Sequence, residues 1–134
     1  MSKTGRLGWA ALWFAVDGRA TRFDYWMRWV VPYFIGALIV AFLDDVLGTV
    51  NPAGGPGVIM VIYVIAAIWP NLAVGIKRCH DRDRSGWFLL IGLVPFLNLW
   101  LLVELAFLRG TTGPNRFGPD PLDGVAAAAA GITT

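Results

Sequence analysis

The stretch Val58–Trp87, "VIMVIYVIAAIWPNLAVGIKRCHDRDRSGW", joins a long apolar run directly to a segment that is dense in charge. The run Val58–Ile76 has no charged side chain. It has the ~20 residues that a helix rising about 1.5 Å per residue needs to cross a ~30 Å hydrocarbon core. Seven ionisable side chains are then crowded into Lys77–Trp87. The stretch therefore predicts a membrane helix that ends at a charged turn.

The composition also indicates a membrane protein. Of the 134 residues, 57% are hydrophobic and 15% are charged, whereas a soluble domain is ~25% charged. Two further apolar runs, Tyr25–Leu43 and Trp87–Leu108, have a similar length and lack the alternation of a barrel strand. Because backbone groups must be paired in lipid, we predict an all-α membrane protein: a three-helix transmembrane bundle with spans at about 25–47, 58–76 and 87–108.

The basic residues predict the orientation, because short cytoplasmic loops are enriched in lysine and arginine. Such residues precede the first span and fill the turn between the second and third, whereas the loop Asp44–Gly57 has none. We therefore expect a cytoplasmic N-terminus and, with three full spans, an external C-terminus.

Residues 1–20 are expected to form a cytoplasmic or interfacial segment. Trp9, Leu12, Trp13 and Val16 recur at helical spacing between basic ends, which indicates a short amphipathic helix in the membrane interface. The following "TRFD" (21–24) has the form of a helix N-terminus with a threonine cap and a carboxylate three residues later. The membrane domain would occupy 21–121, and the alanine-rich tail 122–134 is expected to be disordered.

Three motifs in this order resemble those of the bacterial inner-membrane proteins grouped as domain-of-unknown-function family 805. They are "GRATRFDYW" (18–26), "KRCHDRDRSGWFLL" (77–90) and "GTTGPNRFGPDP" (110–121). The resemblance implies a multi-pass inner-membrane protein and supplies no reaction. In the second motif Cys79 stands where the family pattern leads us to expect leucine, which implies an apolar role for this side chain.

Basic residues at a cytoplasmic membrane surface attract anionic headgroups, at about 1 kcal/mol each, and guanidinium matches phosphate geometry. The alternative is a topology signal with no specific lipid. The candidate contacts for lipid or a partner protein are Arg19, Arg22, Lys77, Arg78, Arg82 and Arg84.

A polar cavity is a second hypothesis. Each apolar run carries one proline, and the three prolines fall at a similar depth, as does Asn71, with Asn98 slightly deeper. Broken helices of this kind can mark a binding cavity. Glu104, an intramembrane carboxylate, could line a path or pair with Arg109 near the outer end. The candidate cavity residues are Pro32, Pro70, Asn71, Pro95, Asn98 and Glu104.

Catalytic and metal chemistry find little support. His80, Asp81 and Asp83 could bind a hard cation, but the carboxylates could equally neutralise the neighbouring arginines. Cys79 and His80 are adjacent on a helix and would point ~100° apart, so they would not form a nucleophile–base pair. We expect no enzyme activity, no metal and no cofactor, and a net charge of only +2 does not favour nucleic acid.

Two functions are compatible with these sequence patterns. The favoured one is a non-enzymatic membrane component that contacts anionic lipid or a partner protein through its basic loop. The alternative is a subunit of an oligomeric channel or transporter, and a homo-oligomer or a membrane-protein partner is plausible because three helices enclose little. The topology also has an alternative: the third run could fold back at "PFLN" (95–98), which would bring Arg116 towards Asp81 or Asp83.

Overall fold

The computed structural model describes residues 7–131 of the chain, without the side chain of Ala128. These residues form α-helices joined by turns, with no β-strand in this part of the chain. The helices are α1 (Trp9–Phe14), α2 (Arg22–Leu47), α3 (Val58–Asp81), α4 (Leu97–Ala106) and α5 (Asp123–Ala129), with a 3₁₀ helix at Gly86–Leu93. Of these, α2 and α3 are long and apolar enough to cross a membrane, judged by length and composition.

The start of α2 confirms the capping motif that the sequence predicts. The Thr21 hydroxyl accepts a hydrogen bond from the Asp24 backbone N–H at 3.1 Å, and the Asp24 carboxylate accepts the Thr21 N–H in return. Both groups are buried. These bonds pair early backbone donors that have no partner within the helix.

A π-helical turn, Trp26–Val30, interrupts α2 just before Pro32. Because proline has no N–H, it cannot bond the carbonyl four residues earlier, which is that of Arg28. The indole N–H of Trp13 donates to this carbonyl at 3.0 Å. The Arg28 carbonyl, which Pro32 cannot bond, therefore binds Trp13 and attaches α1 to α2.

Helices α2 and α3 form an antiparallel hairpin. The Tyr63 hydroxyl donates to the Tyr33 carbonyl at 2.7 Å, and Gly36 makes room for Tyr63, since a Cβ there would overlap the phenol oxygen. At the far end, the buried Asp44 carboxylate accepts the backbone N–H groups of Ile59 and Met60 at 3.0 and 2.8 Å. One side chain at the end of α2 thus caps the start of α3.

The predicted third span is wrong as a continuous helix. The run 87–108 forms a 3₁₀ helix, breaks at Val94–Phe96, and returns as the short helix α4. Phe96 has a φ of +68°, which reverses the chain directly after Pro95. The fold-back brings Leu101 and Leu105 against Cys79 and Phe88, so both ends of the run lie at the Asp81 end of α3.

One further prediction is corrected by this path. The segment that follows α4 returns to the end of the hairpin where α2 begins, so residues 109–121 do not lie opposite the N-terminal segment. The tail that the sequence predicts to be disordered contains α5. Residues 132–134, and Lys3 and Arg6 among the predicted flanking charges, lie outside the described residues.

Candidate functional site

The charged side chains meet at the end of the hairpin where α2 begins and α3 ends, which we call the basic end. Its centre is an ion cluster of Arg19, Arg78 and Asp81, all at most 4% exposed. The Asp81 Oδ1 atom lies 3.1 Å from Arg19 Nε, and its Oδ2 atom lies 2.8 Å from Arg78 Nη1. Each oxygen of the buried carboxylate therefore has its own guanidinium partner, as a buried charge requires.

The two arginines of this cluster also hold the fold-back in place. Arg78 donates from Nε to the Leu105 carbonyl at 2.7 Å and from Nη2 to the Leu108 carbonyl at 2.9 Å. Arg19 donates to the carbonyls of Thr111 and Gly113. The Leu105 carbonyl lies in the last turn of α4, where carbonyls have no partner within the helix. The other three carbonyls belong to the chain after α4, so the arginines supply donors to both segments.

Lys77 also stabilises the fold through its charge. It is fully buried, and its ammonium donates to the carbonyls of Ala11, Leu12 and Ala15 at the C-terminal end of α1. An ammonium has three donors and no acceptor, so all three of its protons are used. Lys77 attaches α1 to α3 and is not exposed to lipid.

Glu104 lies at the basic end and not near the outer end, as the predicted third span required. Its Oε1 atom is 3.2 Å from Arg82 Nη2 and 3.3 Å from Arg84 Nε, and the residue is 1% exposed. The predicted pairing with Arg109 is therefore replaced by two arginines from the turn after α3. The fold-back accounts for the difference, because it returns Glu104 to the start of the run.

The motif "GTTGPNRFGPDP" forms the outer layer of this end. Asn115 donates to the His80 carbonyl at 2.9 Å, and the Phe117 ring stacks on the His80 ring with centroids 3.9 Å apart. Arg116 pairs with Asp83 at 3.2 Å on the surface. The alternative fold-back topology predicts an Arg116 contact with Asp81 or Asp83, and the structure shows the contact with Asp83.

A buried turn carboxylate completes the layer. Although burial acts to raise the pKa of Asp120, hydrogen bonds from the backbone N–H groups of Leu122 and Gly113 outweigh it and hold that pKa below its ordinary value. The positive charges of Arg19 and Arg109 act in the same direction. The carboxylate therefore fixes the turn in its ionised form. Sequence reasoning missed its role, although the spacing within "GPDP" is typical of an Asx turn.

The predicted contact residues divide into two groups. Arg19, Lys77 and Arg78 are buried and bonded within the protein, which leaves little of their surface for the predicted contact with lipid or a partner protein. Arg22 and Arg84 are exposed and Arg82 is partly exposed, and the latter two arginines pair with Glu104. Arg109 and Arg116, which the sequence did not single out as contacts, are exposed at the same end.

The predicted cavity residues are not brought together. Pro32 and Pro70 line one cavity of about 380 Å³ with mostly aromatic walls. Asn71 lines a neighbouring cavity of about 250 Å³ and accepts the Trp29 indole N–H at 3.0 Å. Pro95 and Asn98 lie exposed at the fold-back, and Glu104 lies in the ion pairs of the basic end.

The remaining candidate chemistry has little geometric support in residues 7–131. This part of the chain has no group of three or more histidine, cysteine, aspartate or glutamate residues that could hold a metal ion. Cys79 is fully buried in the apolar cluster with Leu101 and Leu105. Its surroundings agree with the apolar role that the family resemblance implies.

The fold and the basic end define a class: a helical protein that has, within residues 7–131, two helices suited to crossing a membrane and a charged, internally bonded end. The chain belongs to the family described as protein of unknown function (DUF805), which matches residues 13–119.

Curated relatives from Escherichia coli strain K12 extend this assignment. The chain is 41% identical over 104 residues to "Inner membrane protein YhaH", and 37% identical over 105 residues to "Inner membrane protein YhaI". Each alignment covers 78% of this chain and 84% of the relative. It is 29% identical to "Uncharacterized protein YiiR", covering 82% of this chain and 88% of the relative. No solved structure matches the chain.

Proposed function

We propose that this chain is a non-enzymatic component of the bacterial inner membrane that holds anionic phospholipid at its basic end. Among residues 7–131, every lysine and arginine lies at that end, whereas the loop end of the hairpin has Asp44 and Asp45 and no basic residue. This separation of charge is the observation that carries the proposal.

The end that binds lipid is then the cytoplasmic one, because cytoplasmic segments near membrane helices are enriched in basic residues. The same end holds α1 and residues 109–121, so both flanking segments would be cytoplasmic. Anionic lipids of that leaflet attract lysine and arginine at about 1 kcal/mol per residue near the surface. The names of the YhaH and YhaI relatives support the inner-membrane location.

The burial of the ion cluster decides which arginines would meet lipid. Arg22, Arg109 and Arg116 are the exposed ones that no buried carboxylate requires, since Arg82 and Arg84 neutralise Glu104. The lipid contacts are therefore assigned to Arg22, Arg109 and Arg116.

The alternative channel or transporter is not favoured, because its proposed polar residues lie in separate places and the cavity beside Pro32 has largely apolar walls. A homo-oligomer or another membrane protein as partner stays a prediction.

The test compares lipids retained by the protein after gentle extraction, measured by native mass spectrometry. We expect the wild-type chain to retain anionic over zwitterionic lipid, and the triple variant R22Q/R109Q/R116Q to lose that preference. The matched control R22K/R109K/R116K keeps the charge and should keep the preference. Equal retention of both lipid classes by the wild-type chain would overturn the proposal.

A further inference from the structure

We infer that the basic end contains a defined site for one anionic phospholipid headgroup, with its phosphate held between Arg22 and Arg109. The inference rests on the proposed function and names the site within it. A cavity of about 360 Å³ separates the beginning of α2 from the chain that follows α4. Its walls are formed by Thr21, Arg22, Phe23, Asp81, Arg109, Gly110 and Leu122.

The two arginines of this cavity are available for a ligand. Within residues 7–131 neither guanidinium has a hydrogen bond or an ion pair, and both residues are exposed. They differ in this from Arg19 and Arg78 close by, whose donors are used inside the protein. A guanidinium offers two parallel N–H donors to phosphate oxygens, so a pair of them suits a single phosphate.

The Asp81 carboxylate in the cavity wall is neutralised and does not repel a bound anion. Both oxygens of Asp81 are paired with buried arginines, one with Arg19 and the other with Arg78. The cluster of Arg19, Arg78 and Asp81 therefore has a formal charge of +1, which the nearby Asp120 carboxylate offsets in part. Gly110 lies directly over Asp81, and a Cβ at this position would overlap the carboxylate.

The position of the cavity at the start of α2 adds to this field. The helix continues for 26 residues to Leu47, and the N-terminal end of a helix dipole favours negative charge. The effect is secondary to the two arginines, because it falls off within the first turn.

The cavity wall also indicates that the phosphate belongs to a lipid and not to a soluble ester. Phe23 lines the cavity and is 50% exposed. It begins an exposed apolar row on α2 that continues four residues apart with Met27 and Val31. Residues at this spacing share one face of a helix. An acyl chain can lie along this row while the headgroup occupies the cavity.

The experiment uses the full chain in bilayers that contain phosphatidylglycerol and phosphatidylethanolamine, followed by native mass spectrometry. We expect one tightly retained phosphatidylglycerol per wild-type chain. The variants R22Q and R109Q should each weaken this retention by about tenfold, the size expected for losing one charge-assisted hydrogen-bonding group. The matched control R22K/R109K keeps a cation at both positions of the cavity, and it should retain more of the lipid than R22Q/R109Q does.

Competition identifies the source of the phosphate. Inorganic phosphate and glycerol phosphate should not displace the retained lipid, and displacement by either would overturn its assignment as a phospholipid site. Thermal unfolding checks the variants: R22Q and R109Q should unfold at the temperature of the wild-type chain, and a lower temperature for both would mean that the arginines are structural and would overturn the site.

Two outcomes separate the site from the proposed function. If R22Q/R109Q keeps the tightly bound lipid while R22Q/R109Q/R116Q loses the general preference for anionic lipid, the site is wrong and the proposed function stands. If the wild-type chain has no preference for anionic lipid, both are wrong.

Discussion

The two ends of the α2–α3 hairpin are held together in different ways. At the loop end, the short connection after α2 is closed by one carboxylate, Asp44, which bonds the Thr49 hydroxyl and two backbone N–H groups of α3. At the basic end, the ion cluster joins three parts of the chain. Arg19 comes from the segment before α2, and Arg78 and Asp81 come from α3. The two arginines bond carbonyls in the last turn of α4 and in the chain that follows it.

The difference follows from what each end must join. The loop end connects two helices that are neighbours in sequence, so a single local cap is enough. The basic end must fix α1 and the fold-back, whose terminal carbonyls have no partners in their own helices. Buried cations supply those donors, since each arginine or lysine offers several N–H groups. Several basic residues that resemble a topology signal in the sequence therefore stabilise the fold, because they are buried and bonded inside the protein.

The largest effect is expected at the centre of the basic end. Substituting Asp81→Asn leaves Arg19 and Arg78 buried without a negative partner, a loss that costs about 3–5 kcal/mol for buried ion pairs. We expect a large fall in the thermal unfolding midpoint of the protein in detergent micelles. Hydrogen exchange should rise most at residues 105–113, which the two arginines hold.

The matched control for that prediction is Asp83→Asn. Asp83 pairs with Arg116 on the surface, where both side chains are largely exposed, and such pairs contribute about 0–1 kcal/mol. Similar destabilisation by D81N and D83N would contradict a special role for the buried cluster.

A smaller and more local effect is expected at the loop end. Asp44→Ala removes the acceptor for the Ile59 and Met60 N–H groups, so the first turn of α3 should exchange faster and the unfolding midpoint should fall by on the order of a few degrees. Asp45→Ala is the control, because Asp45 is exposed next to Asp44. If D44A raised exchange at residues 105–113 as strongly as at 58–61, the two ends would not be independent.

The smallest effect concerns pH at the basic end. Because the folded chain holds the pKa of Asp120 below its unfolded value of ~3.9, this carboxylate stabilises the fold above that value. The contribution is lost as the pH falls through the folded pKa. Asp120→Asn should lower stability at neutral pH by about 1 kcal/mol, a typical effect of weakening the hydrogen bonds of one side chain. Unfolding midpoints measured from pH 7 to pH 3 should converge for the two proteins, and a constant difference would contradict the linkage.

Local chemistry explains which parts of the fold were predictable. The Thr21–Asp24 cap depends on residues three apart, and the lengths of α2 and α3 depend on continuous apolar runs, so both follow from neighbouring residues. The break at Val94–Phe96 has no comparable local signal. Pro95 occupies a position like that of Pro32 and Pro70 in their runs, and neither of those prolines reverses the chain.

The candidate functional site was also predictable only in part. Lysine and arginine content predicted a basic end, but burial could not be predicted from it, because Lys77, Arg78, Arg82 and Arg84 look equivalent in sequence. Arg109 was not expected to approach Arg22, since 86 intervening residues separate the two positions and a full third span would have kept them apart. The fold-back brings them to one cavity.

The amino-acid sequence by itself determined that this protein suits a lipid environment and is helical, and it determined the charge asymmetry and the start of α2. These features follow from hydrophobicity, backbone pairing and capping, which act over a few residues. Only the tertiary structure decided that the third apolar run folds back, that Asp81 pairs with two arginines, and that Arg22 and Arg109 share a cavity. These features depend on contacts between distant segments, where burial and the pairing of charge must be satisfied together.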